Sequence, residues 1–450
     1  MGRLFGTDGV RGVAGELLSA ELALALGKTA TARIGVARPR VLIVRDTRES
    51  GEMLESALAA GVSAAGGEAL LGGVMPTPAA PLLLRRYGFD LAAVLSASHN
   101  PYQDNGIKFF AADGFKLSDE VESEIEAALD LAAATESNGS TVADAEREPS
   151  PIGRVRELRG AHEDYLRELE TRFADLRLDG RKIAIDCANG ATYRVAPEIL
   201  RRLGAAVTVL AAEPDGRNIN ADCGSTHIDR LAEAVREGGH ELGFAFDGDG
   251  DRVLAVDRNG AVVDGDELIA LTALYLRERG TLTGGGVVIT VMTNYGFHAA
   301  MREAGIEVAC TAVGDRYVLE ELRRSGWTLG GEQSGHIIDM GFNSTGDGIA
   351  SALLTLEALG ERDLAERDAM AKLPQRLVNV RVRDRGALAT AEDVNAAVSA
   401  AGEALSGRGR VLVRPSGTEP LVRVMVEAPT DREADEVCSR LVELVQRELA

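Results

Sequence analysis

Asp90-Leu-Ala-Ala-Val-Leu95-Ser96-Ala-Ser98-His99-Asn100-Pro-Tyr-Gln-Asp-Asn105-Gly106-Ile-Lys108 joins a short apolar run to a loop dense in reactive groups. Residues 90–95 read as a buried strand. His-Asn-Pro stops it, and Asn105-Gly106 favours a tight turn ahead of Phe109 and Phe110. A hydroxyl on a sharp loop beside an imidazole and an ammonium is material for a nucleophile, with Ser98 as the hydroxyl. A plain polar loop after a strand draws on the same residue types, so the weight of this reading rests on the rest of the chain.

Upstream, Leu17 to Ile34 reads as a helix with Ser19 as its N-cap, and Arg40-Val-Leu-Ile-Val-Arg45 as a continuous buried strand. A helix follows through Gly61 and Ala65. Strands alternating with helices predict βαβ units and a mostly parallel sheet. After an acidic helix over Glu120 to Ala134, the stretch Thr135 to Pro151 has no periodicity and reads as a linker. The plan then recurs. Lys182-Ile-Ala-Ile-Asp-Cys187 is a strand, a helix ends near Leu203-Gly204, and Leu242-Gly-Phe-Ala-Phe246 runs into Asp247-Gly-Asp249-Gly-Asp251-Arg252. It returns at Gly286 to Val291 and at Val308 to Val313, which meets Gly314-Asp315-Arg316-Tyr317. It closes at Leu329-Gly-Gly331-Glu332-Gln333-Ser334-Gly335-His336. Beyond Lys372-Leu-Pro374, Arg376 to Val382, Val411 to Val413 and Leu421 to Glu427 alternate, with helices at Ala391 to Leu405 and Asp431 to Leu449. The expectation is an α/β protein: three similar mixed-sheet α/β domains plus a smaller C-terminal α+β domain around one central cleft. The expected spans are 1–152, 153–253, 254–370 and 371–450.

The chain has 450 residues, 45% hydrophobic and 26% charged, the composition of an ordinary soluble protein. No run approaches the ~20 apolar residues of a membrane span. The opening Met1-Gly-Arg-Leu-Phe-Gly lacks the apolar segment of a secretory signal. Four cysteines without CxxC spacing argue against a disulfide framework or a zinc site and for the cytoplasm. A net charge of −21 argues against nucleic-acid or anionic-membrane partners. Only five of the 49 basic residues are lysines. Lys108 therefore stands out at a site that needs an amine able to lose its proton, which arginine cannot do.

Phe5-Gly-Thr7-Asp8-Gly9-Val-Arg11-Gly12 offers tight turns and a guanidinium, Arg11, that could reach a phosphate. Asp247, Asp249 and Asp251 alternate with glycine, and such carboxylates repel one another unless a hard cation sits among them. An EF-hand is excluded, since Arg252 and Arg258 stand where glycine and glutamate are required. Magnesium held with a phosphate is the reading, against a solvated acidic turn. Arg414-Pro-Ser416-Gly417-Thr418-Glu-Pro420, with Arg423, carries the donors that hold a phosphate dianion, or forms an ordinary hairpin turn. Glu332 and Ser334 suit sugar hydroxyls. His162, His227, His240 and His298 belong to no such group and are expected at the surface.

In this order, the Ser-His-Asn, Asp-Gly-Asp-Gly-Asp, Gly-Glu-Gln-Ser-Gly and Arg-Pro-Ser-Gly-Thr loops resemble the α-D-phosphohexomutase family across essentially the whole chain. Gly2 to Gly12, Ser96 to Phe110 and Gln333 are similar to its bacterial branch that acts on glucosamine phosphates. Phosphomannomutases and phosphoglucomutases usually carry other residues there, such as Met where Gln333 stands. The resemblance implies a phosphoryl group on Ser98 and Mg²⁺ bound by Asp247, Asp249, Asp251 and a phosphoserine oxygen. It implies a substrate phosphate at Arg414, Ser416, Gly417, Thr418 and Arg423, hydroxyls at Glu332 and Ser334, and further substrate contacts from Asn100 and Arg252. Ser98 would give its phosphoryl group to O1 of glucosamine 6-phosphate. The resulting 1,6-bisphosphate would turn over and return the other phosphoryl group, releasing glucosamine 1-phosphate for amino-sugar nucleotide synthesis. A hexosamine or hexose 1,6-bisphosphate would serve as primer. Arg11 would neutralise the transferring group, Lys108 act as general acid and base, and His99 position the serine loop. Phosphomannomutase or phosphoglucomutase activity is the alternative within the family. A metal-dependent sugar-phosphate phosphatase is the alternative outside it, disfavoured by the Arg414 loop.

Overall fold

The computed structural model describes residues 4–6, 8–137, 152–416 and 420–450. The chain forms two compact units, one of residues 1–291 and 309–367, the other of 292–308 and 368–450.

In the first unit, apolar runs become buried strands and amphipathic segments become the helices that cover them. The first sheet contains β1 (Val10–Val13), β2 (Arg40–Arg45), β3 (Glu68–Val74), β4 (Leu91–Leu95), β5 (Asp104–Ala111) and β6 (Arg154–Glu157), in spatial order β1-β5-β4-β2-β3-β6. Val41 to Val44 and Leu91 to Leu95 are buried, as continuous apolar runs in a two-sided sheet must be. Ser19 caps the helix Ala20–Arg33 by accepting from the Leu22 N–H at 3.2 Å, as expected. That helix packs tightly on Gly51–Ala64. A Cβ at Gly27 would stand 2.4 Å from the Leu58 carbonyl oxygen, and one at Gly61 2.1 Å from that of Leu24, so only glycine permits the approach.

The second sheet contains β7 (Lys182–Asp186), β8 (Ala206–Leu210), β9 (Leu242–Phe246), β10 (Val253–Asp257) and β11 (Val262–Val263), ordered β11-β10-β9-β7-β8. The third contains β12 (Gly286–Thr290), β13 (Glu307–Thr311), β14 (Leu329–Gly331) and β15 (Ile337–Asp339), ordered β13-β12-β14-β15. The same four-strand arrangement appears three times, as β5-β4-β2-β3, β10-β9-β7-β8 and β15-β14-β12-β13. In each copy the last two strands in sequence pair antiparallel, β4 with β5, β9 with β10 and β14 with β15. The Ser98, Asp247 and Glu332 loops are therefore one and the same hairpin connection in three sheets. Mixed sheets result, as expected for the three α/β domains.

Three local expectations shift. The helix expected over Glu120 to Ala134 spans Asp119–Ser137, and the rest of the expected linker, residues 138–151, lies outside the described residues. The strand after it, β6, pairs in parallel with β3 as an edge of the first sheet, beyond the expected boundary at 152. The boundary expected after 253 falls inside the β9–β10–β11 meander, which continues because Asn259-Gly260 turns the chain back and Asp257 accepts from both Asn259 and Ala261.

The second unit is an antiparallel sheet of β16 (Gln375–Arg381), β17 (Arg410–Pro415) and β18 (Leu421–Glu427), ordered β16-β18-β17. Val380, Val422, Val424 and Val426 pack on Val394 and Ala401 of the helix Glu392–Ala404 and on Leu441 and Val445 of Asp431–Leu449. The helix Tyr295–Glu303, expected in the third domain, belongs to this unit. The Tyr295 N–H donates to Glu427 at 2.8 Å, and Arg410 donates to the Thr293 carbonyl at 2.6 Å.

Candidate active site

Ser98 lies at the mouth of the β4–β5 hairpin and is 2% exposed. Its φ of +52° places a non-glycine residue in the left-handed region, a strained conformation that persists only where the surroundings enforce it. The strain turns the hydroxyl toward the second sheet, where Ser98 Oγ donates to Asp247 Oδ2 at 2.5 Å. On its other side, Ser98 Oγ lies 3.2 Å from His99 Nδ1.

Asp247, Asp249 and Asp251 are all buried, with one oxygen from each within 4.8 Å of the others. Asp249 Oδ2 accepts from Thr77 Oγ1 at 2.7 Å and from Lys108 Nζ at 3.1 Å. Among the described residues, Asp249 Oδ1 and Asp251 Oδ1 are buried with no hydrogen-bond donor. Burial pushes the Asp247 carboxyl well above the usual range, and Asp251 and Asp249 push it further. Asp251 goes the other way. Burial opposes its charge, but His336, Lys108 and Arg252 overcome that and hold it well below. Like charges forced together separate in this manner. A hard cation removes the conflict and occupies the orphaned oxygens, so the donor set fits a metal ion of the magnesium class.

Lys108 on β5 is 1% exposed, and its ammonium stands 3.0 Å from Asp8 and 3.9 Å from Asp251 besides Asp249. Burial disfavours the charge, but Asp249, Asp8 and Asp251 outweigh it and hold the amine well above lysine's ordinary value. Arg11, whose Cα faces Gly106 across the β1–β5 ladder, pairs with Asp8. His99 goes the other way, pushed down to about 4 by burial and by Arg252 and Arg11. A neutral imidazole is what the geometry requires, because His99 Nδ1 accepts from Arg252 Nη1 at 3.2 Å. The Arg252 backbone N–H in turn donates to Asp247 Oδ1 at 3.2 Å.

The third hairpin reaches the same place. Arg252 and His336 form an antiparallel bridge, the Val253 N–H donates to the Gly335 carbonyl at 3.0 Å, and His336 Nδ1 stands 3.6 Å from Asp251. Gly335, at φ +88°, permits the contact, since a Cβ there would lie 2.1 Å from the Val253 carbonyl oxygen. Glu332 is 8% exposed and accepts from the Gly314 N–H at 2.9 Å, while Ser334 is exposed. Asn100 donates to Asp104 at 2.9 Å within its own loop.

Thus Ser98, His99, Lys108, Arg11, the three aspartates and Arg252 converge, and Glu332 joins them through the His336 bridge. In the second unit, Arg414 on β17 faces Arg423 on β18 across the ladder. Burial and Arg423 lower the Arg414 pKa, and Arg423 Nε is buried with no hydrogen-bond acceptor among the described residues, a pairing that invites an anion. Ser416 is buried beside them, and Gly417 and Thr418 lie outside the described residues. His162, His240 and His298 are half-buried and His227 is exposed.

Several participants carried no expected role. Asp8 binds Lys108, Lys116 and Arg11 at once, and Lys116 pairs onward with Asp315. The scarcity of lysine that singled out Lys108 was a signal open to Lys116 as well, and Asp8 stands three residues before Arg11. His336 closes the Gly-Glu-Gln-Ser-Gly loop. Thr77 offered no signal, being an isolated threonine before a helix.

Family models for the four domains of phosphoglucomutase/phosphomannomutase match residues 2–136, 163–260, 264–377 and 377–444. The chain belongs to the phosphoglucomutase/phosphomannomutase family. Family membership makes it a phosphate-transferring enzyme of the isomerase class with the family's four α/β and α+β domains. It is 51% identical over 450 residues to a phosphoglucosamine mutase of Moorella thermoacetica, covering 98% of each chain. It is 48% identical to that of a Parafrankia species, covering 100% of both. Among solved structures, a phosphoglucomutase/phosphomannomutase family protein of Burkholderia thailandensis superposes with a TM-score of 0.81 at 22% identity, over 100% of this chain and 98% of that one. The N-acetylphosphoglucosamine mutase of Aspergillus fumigatus, in complex with GlcNAc-6P and magnesium, gives 0.68 at 17% identity over 99% and 96%. Both share the fold. Among the described residues, no helix is long and apolar enough to cross a membrane.

Proposed function

We propose that this member of the family interconverts glucosamine 6-phosphate and glucosamine 1-phosphate, with Ser98 as the phosphoryl carrier. The observation that carries this is the buried Ser98 hydroxyl, held in a strained conformation 2.5 Å from one aspartate of a buried triad. The identity of about half the chain to phosphoglucosamine mutases directs the choice of sugar.

Asp247, Asp249 and Asp251 would hold Mg²⁺, which when bound would neutralise charge on the phosphoryl group in transfer. Arg11 shares that neutralisation from β1. Lys108, an ammonium in its carboxylate nest, gives its proton to the sugar oxygen as that oxygen leaves and takes it back when the oxygen attacks. His99, neutral and anchored by Arg252, keeps the serine hydroxyl oriented. Glu332 and Ser334 bind sugar hydroxyls. Arg414, Ser416 and Arg423, with Gly417 and Thr418, bind the phosphate that is not in transfer. Each turnover passes through a 1,6-bisphosphate, so a trace of a hexosamine or hexose 1,6-bisphosphate primes an enzyme that has lost its phosphoryl group.

The test is turnover of the purified protein on glucosamine, glucose and mannose 6-phosphates with magnesium and glucose 1,6-bisphosphate, alongside Ser98→Ala. Preference for glucosamine 6-phosphate is expected, with a phosphoryl group on Ser98 by intact mass and peptide mapping. An active Ser98→Ala protein with phosphate on Ser96 overturns the carrier. Preference for mannose or glucose overturns the sugar.

A further inference from the structure

Ser98 does not hold its strained conformation unaided. Arg48, in the loop after β2, is wholly buried although it carries the largest fully buried side chain described. Its Nε–H donates to Asp46 Oδ2 at 2.8 Å. Nη1 donates to the carbonyls of Pro101 and, at 2.9 Å, Asp104. Nη2 donates to those of Ser98 at 2.8 Å and Asn100 at 2.9 Å. All five N–H groups of the guanidinium are thereby used, four of them on the backbone of the loop that presents the nucleophile.

Asp46 acts from the same point. Its Oδ2 also accepts from Ser96 Oγ at 2.6 Å, and Ser96 Oγ accepts from the Ser98 N–H at 2.9 Å. Ser98 is thus gripped at both ends of its backbone, the N–H through Ser96 and Asp46 and the carbonyl through Arg48. From the second sheet, Asn220 Nδ2 donates to the Ser98 and Asn100 carbonyls at 2.9 and 3.0 Å. A loop needed only to close a hairpin requires none of this. Two or three residues in a type I′ or II′ turn would serve. A buried ion pair is also a poor device for stability, because the cost of desolvating it rivals what it returns. What it supplies here is a fixed position for one hydroxyl.

We propose that Asp46 and Arg48 are positioning residues for phosphoryl transfer, holding the Ser98 backbone in the conformation that aims its hydroxyl at Asp247. Neither touches the reacting groups. The inference rests on Ser98 being the phosphoryl carrier and goes beyond it by naming what fixes the carrier. Lysine at position 48 has three donors for four carbonyls and one carboxylate, so the loop loses contacts it cannot replace. A displacement of about 1 Å at a reacting group costs about 10²-fold.

The experiment uses the full-length chain, dephosphorylated, with glucose 1,6-bisphosphate and magnesium. It follows the rate at which Ser98 gains mass, and then kcat and KM for glucosamine 6-phosphate. Arg48→Lys and the isosteric Asp46→Asn are compared with the parent, with melting temperature and circular dichroism confirming the folded state. Expected is a fall of about 10²-fold in Ser98 phosphorylation rate and kcat, with KM changed far less, since Glu332, Ser334, Arg414 and Arg423 lie outside the loop that Arg48 holds. Should Arg48→Lys not fold, Asp46→Asn carries the test, because it removes the charge without changing shape. Phosphorylation within threefold of the parent in a folded variant overturns the inference, as does a loss that only tracks the unfolded fraction. A parent that takes phosphate on another residue, or on none, overturns the reading of Ser98 and this inference with it. A parent phosphorylated on Ser98 beside equally fast variants overturns this inference alone.

Discussion

Replacing Lys108 by arginine separates charge from proton transfer. Its ammonium lies 3.1 Å from Asp249 and 3.0 Å from Asp8 in a site with 1% exposure. Arginine keeps both ion pairs, so the carboxylates stay compensated. Methionine, of similar length, leaves the buried Asp249 and the half-buried Asp8 short of a partner, and removing one member of a buried pair costs about 3–5 kcal/mol. The two variants should therefore differ in stability, Lys108→Met melting well below Lys108→Arg. In turnover they should agree. A cation among Asp249 and Asp251 would offset two of the carboxylates that raise the Lys108 amine, whereas a guanidinium keeps its proton in any setting; general acid–base catalysis is worth ~10²–10⁴-fold, so kcat should fall by that order in both. KM should change much less, because Arg414 and Arg423, the groups proposed for the distal phosphate, are unaltered. The assay is steady-state kinetics on glucosamine 6-phosphate, with Ser98 phosphorylation verified by mass and folding by thermal denaturation. A folded Lys108→Arg enzyme turning over within about threefold of the parent would reduce Lys108 to electrostatics.

Chelation of divalent metal should abolish turnover and leave circular dichroism nearly unchanged, because β9 and β10 pack without help from the Asp247–Asp251 loop. Adding magnesium back at 100-fold over its Kd should stabilise the parent by about 2.7 kcal/mol and Asp249→Asn by far less; unfolding on chelation would make the metal structural instead. A pH dependence follows from Asp347, which caps the helix Gly348–Leu359 and accepts from Tyr165 at 2.9 Å. Burial raises its pKa to about 6 against bonds from Ala350, Tyr165 and Asn343 that lower it. A raised pKa favours the folded state most when the group is protonated, so this contribution is full below pH ~4 and is lost as pH rises through about 6. Relative to Asp347→Asn, the parent should lose roughly 3 kcal/mol between pH 4 and 7, measured by urea denaturation at each pH. A difference flat with pH would show the carboxyl stays ionised.

What the sequence disclosed follows from how local each signal is. Asp247, Asp249 and Asp251 alternate with glycine within one short loop, and their repulsion alone announces a cation. Ser98-His99-Asn100 ends an apolar run, and Arg414 to Arg423 compresses its donors into one turn. Such readings need no knowledge of what lies opposite. The Arg48 grip, the Asp8–Lys116–Asp315 chain and the His336–Asp251 contact join residues from 50 to 199 positions apart, as the separations of Arg48 from Ser98 and Lys116 from Asp315 illustrate. Nothing near Arg48 distinguishes it from the other arginines that this chain uses almost wherever it needs a cation. The edge strand β6 leaves no signal in the sequence for a related reason. The residues of β6 are exposed, so its membership of the first sheet is fixed by backbone pairing with β3 and leaves no hydrophobic trace.

The threefold plan was visible as a rhythm of strands and helices, although sequence identity between the copies is too low to prove it. Topology supplies the missing argument. The antiparallel hairpin carries different functional groups in each copy. The β4–β5 hairpin carries the proposed nucleophile, β9–β10 the carboxylates and β14–β15 the glutamate expected at the sugar. Because the hairpin is the same, each loop leaves its sheet from an equivalent edge, and loops with unrelated sequences can meet. The Arg252–His336 bridge and the Ser98–Asp247 hydrogen bond are two places where they do so. A residue that joins two hairpins, such as Arg252 between His99 and Asp247, is accordingly placed by the repeat itself. Its counterparts cannot be found by aligning the three loops residue by residue, because the copies share a scaffold and divide the chemistry.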